Sequence, residues 1–127
     1  MVLIRLALLQ DSAGIGELIA MLFPESGGLF SPTDKIWVAE EEGELIGFVR
    51  FTQENERWML NGWGVLPEVR SRGIGTELLR RALKAFKDAP VRLEVEACNP
   101  AVELYSRFGF TLQKFGSVHM LVRKPET

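Results

Sequence analysis

Val65-Leu66-Pro67-Glu68-Val69-Arg70-Ser71-Arg72-Gly73-Ile74-Gly75 decides the reading of this chain. A strand-like run, Trp58 to Val65, leads into it. An amphipathic helix leads out of it to Lys87, with Ile74, Leu78, Leu79, Ala82, Leu83 and Phe86 spaced for one buried face. A strand, a glycine turn and a helix start together gather backbone N–H groups into a site for phosphate. Gly73 and Gly75 let the main chain approach an anion closely, because no Cβ stands in the way. From Arg70 to Lys87 there are six basic residues and one acid, Glu77, in a chain of formal net charge −2. The positive charge is therefore local and lies beside the turn. The stretch is not a P-loop, since no Gly-Lys-Ser/Thr follows. It does not fit a dinucleotide fingerprint either, because Leu78 stands where the third glycine belongs and no strand-borne acid follows at the right distance.

The length of 127 residues, with 46% hydrophobic and 25% charged residues, suits a single domain, 1–127, around one core. Met1-Val2-Leu3-Ile4 gives way quickly to Arg5 and Asp11, so no secretory leader is expected. No apolar run approaches the ~20 residues that span a bilayer. The lone cysteine, Cys98, rules out an internal disulfide and a cysteine-rich zinc site, and reads as a buried, inert thiol. A cytoplasmic, reducing setting is expected, with no membrane, no metal and, given the slight negative charge, no nucleic-acid partner.

Strands and helices alternate along the rest. Leu3 to Leu8 predicts a strand, and Asp11 or Ser12 caps a helix carrying Ile15, Leu18, Ile19, Leu22 and Phe23. Pro24 to Pro32 reads as a loop. Ile36–Glu40 and Leu45–Thr52 predict a hairpin, with the acidic run Glu40 to Glu44 as its solvated tip. A polar turn, Gln53 to Arg57, precedes the strand Trp58–Val65. Pro90 breaks the chain before a strand at Val91–Glu96. Pro100–Phe108 predicts a short helix ended by Gly109, and Phe110–Lys114 with Val118–Lys124 a final hairpin. This pattern gives a mixed α/β sheet covered by helices.

The segment Val-x-Pro-x-x-Arg-x-x-Gly-x-Gly resembles the pyrophosphate-binding segment of the GNAT superfamily of N-acetyltransferases, which use acetyl-CoA. A second motif follows: Leu93-Glu94-Val95, then Asn99, then Leu104-Tyr105-Ser106-Arg107-Phe108-Gly109-Phe110. It resembles the family's L-E-V…N…L-Y-x-x-x-G-F segment, with the Asn99-to-Tyr105 interval one residue shorter. The element order β-α-β-β-β-α-β-α-β-β resembles the GNAT fold across nearly the whole chain. That implies an α/β fold with a mixed, mostly antiparallel sheet of about six to seven strands, flanked by three to four helices. The family often places two helices between its first two strands. Here Phe23 to Lys35 leaves room for a short second helix or none.

The resemblance implies acetyl transfer from acetyl-CoA to a primary amine in a ternary complex, with no covalent enzyme intermediate. An amine attacks the thioester, a backbone N–H near the strand end steadies the oxyanion, and the departing thiolate needs a proton. Tyr105, the only tyrosine, takes the general acid's position, a phenol of ordinary pKa about 10. Glu94 is the candidate base, with a water relay as the alternative, since Trp58 to Gly64 carries no acid. Alternation places Glu94 and Glu96 on one strand face, opposite Leu93 and Val95. By the same resemblance, backbone at Trp63, Gly64 and Val65 pairs with the pantetheine arm like one more strand. Arg70, Ser71, Arg72, Gly73, Ile74, Gly75 and the Thr76 hydroxyl hold the pyrophosphate, and Asn99 joins the cofactor set. Gly62 and Gly64 suggest a bulge or splay around Trp63. One of Trp37, Trp58 and Trp63 could floor the acceptor pocket, and Trp63 is nearest the inferred thioester. His119 more simply serves its strand than a substrate. The acceptor is a small-molecule or peptide amine, and the family's habit of pairing allows a homodimer. The alternative is a non-catalytic acyl-CoA-binding sensor or interaction module on the same fold.

Overall fold

The computed structural model describes residues 1–26 and 30–125; the centre of the expected Pro24–Pro32 loop lies outside them. Seven strands form one sheet: β1 (Val2–Leu6), β2 (Lys35–Glu41), β3 (Glu44–Glu54), β4 (Arg57–Val65), β5 (Val91–Glu96), β6 (Phe110–Lys114) and β7 (Val118–Arg123). Their order is β1-β2-β3-β4-β5-β7-β6. Neighbours run antiparallel except β4 and β5, which are parallel. The helices are α1 (Ser12–Leu22), α2 (Ile74–Lys84) and α3 (Ala101–Arg107). Among the described residues only a 3₁₀ turn, Pro24–Ser26, stands where a second helix was allowed between β1 and β2.

The helices cover the sheet on two sides. On one, Ile15, Leu18 and Ile19 of α1 pack on Ile36, Val38 and Phe48. On the other, Leu78, Leu79, Ala82 and Leu83 of α2 join Val49, Phe51, Leu60, Val91 and Leu93 in the larger core. An aromatic cluster anchors that core, with Phe51 and Phe86 ring centroids 4.4 Å apart and Trp58 5.3 Å from Phe86. Each such pair adds about 0.5–1.5 kcal/mol beyond its burial. Phe86 lies past the end of α2, which stops at Lys84 rather than Lys87.

β2 and β3 are longer than expected because their turns are short. Glu42 and Gly43 turn at φ of 51° and 83°, and Asn55 and Glu56 at 50° and 64°. Left-handed residues at both central positions match the twist of the flanking strands, so two residues suffice. Glu40 and Glu41 are not part of a solvated tip. Arg5 pairs with Glu40 at 2.8 Å and with Asp11 at 2.7 Å, tying β1 to β2 and to the start of α1. Asp11 does not cap α1. It accepts from the Leu8 N–H at 2.7 Å and so closes a preceding 3₁₀ turn, Leu9–Asp11.

One irregularity positions the site. In the β3–β4 ladder Arg50 pairs with Gly62 but Phe51 pairs with Leu60, so Asn61 is an extra residue on β4. A one-residue insertion shifts the face of every side chain after it. Trp58 and Leu60 before it, and Trp63 and Val65 after it, all pack with the α2 core. Gly62 and Gly64 therefore face α1, beside Phe48, Leu22 and Phe23. The bulge expected around Trp63 thus sits at Asn61, two residues earlier.

Candidate active site

β4 and β5 pair only at Trp58–Val91 and Met59–Arg92. Beyond Met59 the two strands part, and the second edge of β4 has no strand partner among the described residues. A cleft opens in mid-sheet, with α2 and α3 on one side and α1 on the other.

The glycine turn closes one end of it. A 3₁₀ turn, Pro67–Val69, carries the chain from β4 to Arg70. Ser71 and Gly73 then adopt φ of 69° and 79°, and α2 starts at Ile74. A pocket of about 220 Å³ forms here, lined by Trp63, Val65, Val69, Arg70, Ser71, Gly73, Ile74, Gly75 and Thr76. No atom lies within 4 Å of where a Cβ on Gly73 would be, so the main chain is open at the helix start. That geometry fits a phosphate group, which helix N-terminal N–H groups and the helix dipole both favour.

Most of the predicted turn residues are thus brought together, but Arg72 is not. Arg72 faces away: its two terminal nitrogens donate to the two carboxylate oxygens of Glu41 at 3.1 and 2.6 Å. The pairing raises the Arg72 pKa and lowers that of Glu41. Arg70 lines the pocket and forms no ion pair among the described residues; its Nε donates to the Val65 carbonyl at 3.2 Å. Gly64 turns to the α1 side, where a Cβ would meet Leu22 at 3.2 Å.

Trp63 does not floor a pocket on the α1 side. Its indole Nε1 donates to the Gly75 carbonyl at 2.9 Å, and its ring lies 5.7 Å from that of Tyr105. Tyr105, on α3, is half-buried between Trp63 and Phe110, whose ring is 5.8 Å away. Burial raises the phenol's pKa. Asn99 does not line the pocket at the turn: its Oδ1 accepts from the N–H of Ala101, the first residue of α3, at 2.8 Å.

Glu94 is exposed on β5, on the face opposite Leu93 and Val95, as alternation predicted. It lines a pocket of about 310 Å³ with Lys114, Val118, His119 and Met120. Tyr105 and Glu94 therefore lie on opposite sides of the parted sheet. His119 serves its hairpin: Nδ1 accepts from the Gly116 N–H at 3.2 Å, and the ring packs on Phe115 at 4.9 Å. Cys98 is exposed, not buried as expected, in the turn between β5 and α3.

A third pocket has little local signal in the sequence. On the α1 side of β3 and β4, Phe23, Glu25, Phe48, Arg50, Asn61 and Gly62 line a space of about 310 Å³. Arg50 Nε donates to Asp34 Oδ2 at 2.8 Å. The pocket draws on α1, β3, β4 and the turn after α1, and only the Gly62–Gly64 pair hinted at room there. No helix among the described residues is long and apolar enough to cross a membrane.

Comparison with known proteins agrees with this geometry. The sequence model described as the acetyltransferase (GNAT) family matches residues 7–110. An N-alpha-acetyltransferase of Sulfolobus acidocaldarius is 31% identical over 131 aligned positions, covering 84% of this chain and 78% of that one. The ribosomal-protein-S18-alanine N-acetyltransferase of Escherichia coli superposes with a TM-score of 0.80 at 16% identity, over 100% of this chain and 96% of that one. The PaiA N-acetyltransferase of Thermoplasma acidophilum, solved in complex with coenzyme A, superposes with a TM-score of 0.76 at 20% identity, over 98% and 99%. At such identities the two structures bear on the fold alone.

Proposed function

The chain belongs to the acetyltransferase (GNAT) family, and on that premise we propose that it acetylates the free α-amine of a peptide or protein N-terminus by direct transfer in a ternary complex. As a member of that family it is an acetyl-CoA-dependent N-acetyltransferase, the enzyme rather than the binding-module reading of the sequence. The observation that carries the proposal is the parting of β4 from β5 after Met59. A phosphate-fitting turn stands on the α2 side of β4 and an open pocket on its α1 side. The N-terminal acceptor follows from the likeness to the Sulfolobus acidocaldarius enzyme.

Acetyl-CoA supplies an acetyl group activated as a thioester. In this reading backbone from Ser71 to Gly75, the Thr76 hydroxyl and Arg70 hold its pyrophosphate, and backbone at Trp63, Gly64 and Val65 pairs with the pantetheine arm. Arg72, spent on Glu41, steadies the turn from outside. Tyr105 holds the proton for the departing sulfur; its raised pKa keeps the phenol protonated at working pH. Glu94, directly or through water, takes the proton of the incoming amine from the opposite face. Asn99 acts through its bond to Ala101 at the start of α3, which orients Tyr105. We place all of this within one domain, 1–127.

The test is initial-rate kinetics over a grid of acetyl-CoA and peptide concentrations. Peptides with free N-termini are compared with N-terminally blocked peptides that carry a lysine. Intersecting double-reciprocal lines and turnover of the free N-termini support the proposal. Parallel lines overturn direct transfer, and acetylation confined to lysine overturns the N-terminal acceptor.

A further inference from the structure

Among the described residues Arg50 is the one cation lining the α1-side pocket, and nothing in the proposed chemistry uses it. It projects from β3 opposite Gly62, and its Cβ would lie 3.6 Å from a Cβ at Gly62. The glycine therefore leaves free the space beside the arginine stem. Asp34 fixes the guanidinium by its inner edge, Nε to Oδ2 at 2.8 Å. The same oxygen accepts from the Ser31 N–H at 2.9 Å, and the Asp34 side chain is only 4% exposed, so the anchor is itself anchored. Among the described residues Asp34 is the sole ion-pair partner of Arg50. The two terminal nitrogens, the fork that binds a carboxylate through two parallel bonds, are left for a ligand. Phe23 and Phe48 line the same space, and apolar walls strengthen such a contact.

We propose that Arg50 is a specificity-determining residue that binds the side-chain carboxylate of an acceptor beginning with Asp or Glu. Asp34 is the positioning residue that aims it. This rests on the N-terminal acceptor proposed above. The other charge lining the pocket, Glu25, is of opposite sign. One cation and one anion suit an acceptor carrying an amine and an acid one side chain apart.

The experiment compares kcat/KM for matched peptides beginning with Glu or Gln, and with Asp or Asn. Wild type is expected to favour the acid by tenfold or more, through KM. Arg50→Gln alone would leave Asp34 buried without its partner, so the main variant is the pair Arg50→Gln with Asp34→Asn. In that variant the acid-to-amide ratio collapses towards one, while acetyl-CoA still raises the melting temperature as in wild type. Arg50→Lys, which keeps the charge but loses the fork, retains part of the ratio. A wild-type preference for the amide, or a variant that keeps the wild-type ratio, overturns the role of Arg50 and leaves N-terminal acetylation standing. If no peptide with a free N-terminus is acetylated while blocked lysine peptides are, the N-terminal reading falls, and the assignment of Arg50 falls with it.

Discussion

Trp63 and Tyr105 meet across the gap where β4 and β5 part, with ring centroids 5.7 Å apart and planes inclined at 48°. The same indole donates to the Gly75 carbonyl. One side chain thus links the glycine turn, the open strand and the phenol, so these three parts of the site share one support.

Tyr105→Phe keeps the ring contacts with Trp63 and Phe110 and removes only the hydroxyl. It should lower kcat by about 10²–10⁴-fold, the usual worth of general acid catalysis. The affinity for CoA should stay within about twofold. Because burial raises the phenol's pKa, wild-type kcat should show no alkaline fall from this group below about pH 10. Rapid-quench and steady-state rates from pH 6 to 10 check both points; full activity in the variant would make Tyr105 a packing residue.

Gly73→Ala and Gly75→Ala should separate stability from binding. Gly73 has a φ of 79°, where a Cβ costs about 1–2 kcal/mol although no atom crowds it. Gly75 lies in the first turn of α2, and its added Cβ would meet Trp63 no closer than 3.7 Å. Alanine there should leave the melting temperature equal or higher. Both variants should weaken CoA binding tenfold or more in calorimetry, since each puts a methyl group on the turn proposed to hold the pyrophosphate.

Trp63→Phe removes the bond to the Gly75 carbonyl and keeps an aromatic ring. A loss of about 1 kcal/mol in urea unfolding is expected, the net worth of one such bond. A larger fall in kcat/KM than in stability would show that the indole orders the cleft; equal small losses would make it a simple strut.

The Arg5–Asp11 pair should leave a pH signature. Bonding to Arg5 holds the Asp11 pKa below its ordinary value. A carboxylate with a depressed folded-state pKa contributes stability that is full above the unfolded value of about 3.9 and disappears as pH falls through the folded value. Wild-type stability should therefore drop more steeply below about pH 4 than that of Asp11→Asn, and the variant should be the less stable near pH 7. Urea titrations from pH 2.5 to 7 test this; parallel curves would remove Asp11 as the cause.

The glycine turn and α2 were legible because their signal is local: a phosphate-type turn followed by a helical apolar stripe. The seven strands were legible for the same reason, apart from their ends: the two-residue turns lengthened β2, β3 and β4, while β1, expected to reach Leu8, stops at Leu6. The face of Trp63 was not. Strict alternation sets it beside Met59, and only the cross-strand register shows that Asn61 is extra. Arg72 looked like a phosphate ligand because its partner, Glu41, lies 31 residues away. Arg50 was invisible as a site residue for a like reason. Its meaning depends on Asp34 and Gly62, which folding alone brings beside it.

A strand that is half-paired within a sheet carries a cost of its own. From Leu60 to Val65 the second edge of β4 meets no strand among the described residues, although it lies at the centre of the sheet rather than at its rim. Amide hydrogens on that edge should exchange with solvent faster than those of the β3–β4 ladder behind them. A donor docked along the edge, as proposed above, would complete the ladder and so act as a removable structural member as well as a reagent. Each turnover would then end with the enzyme giving up part of its own sheet, and product release would be a local loosening of the fold.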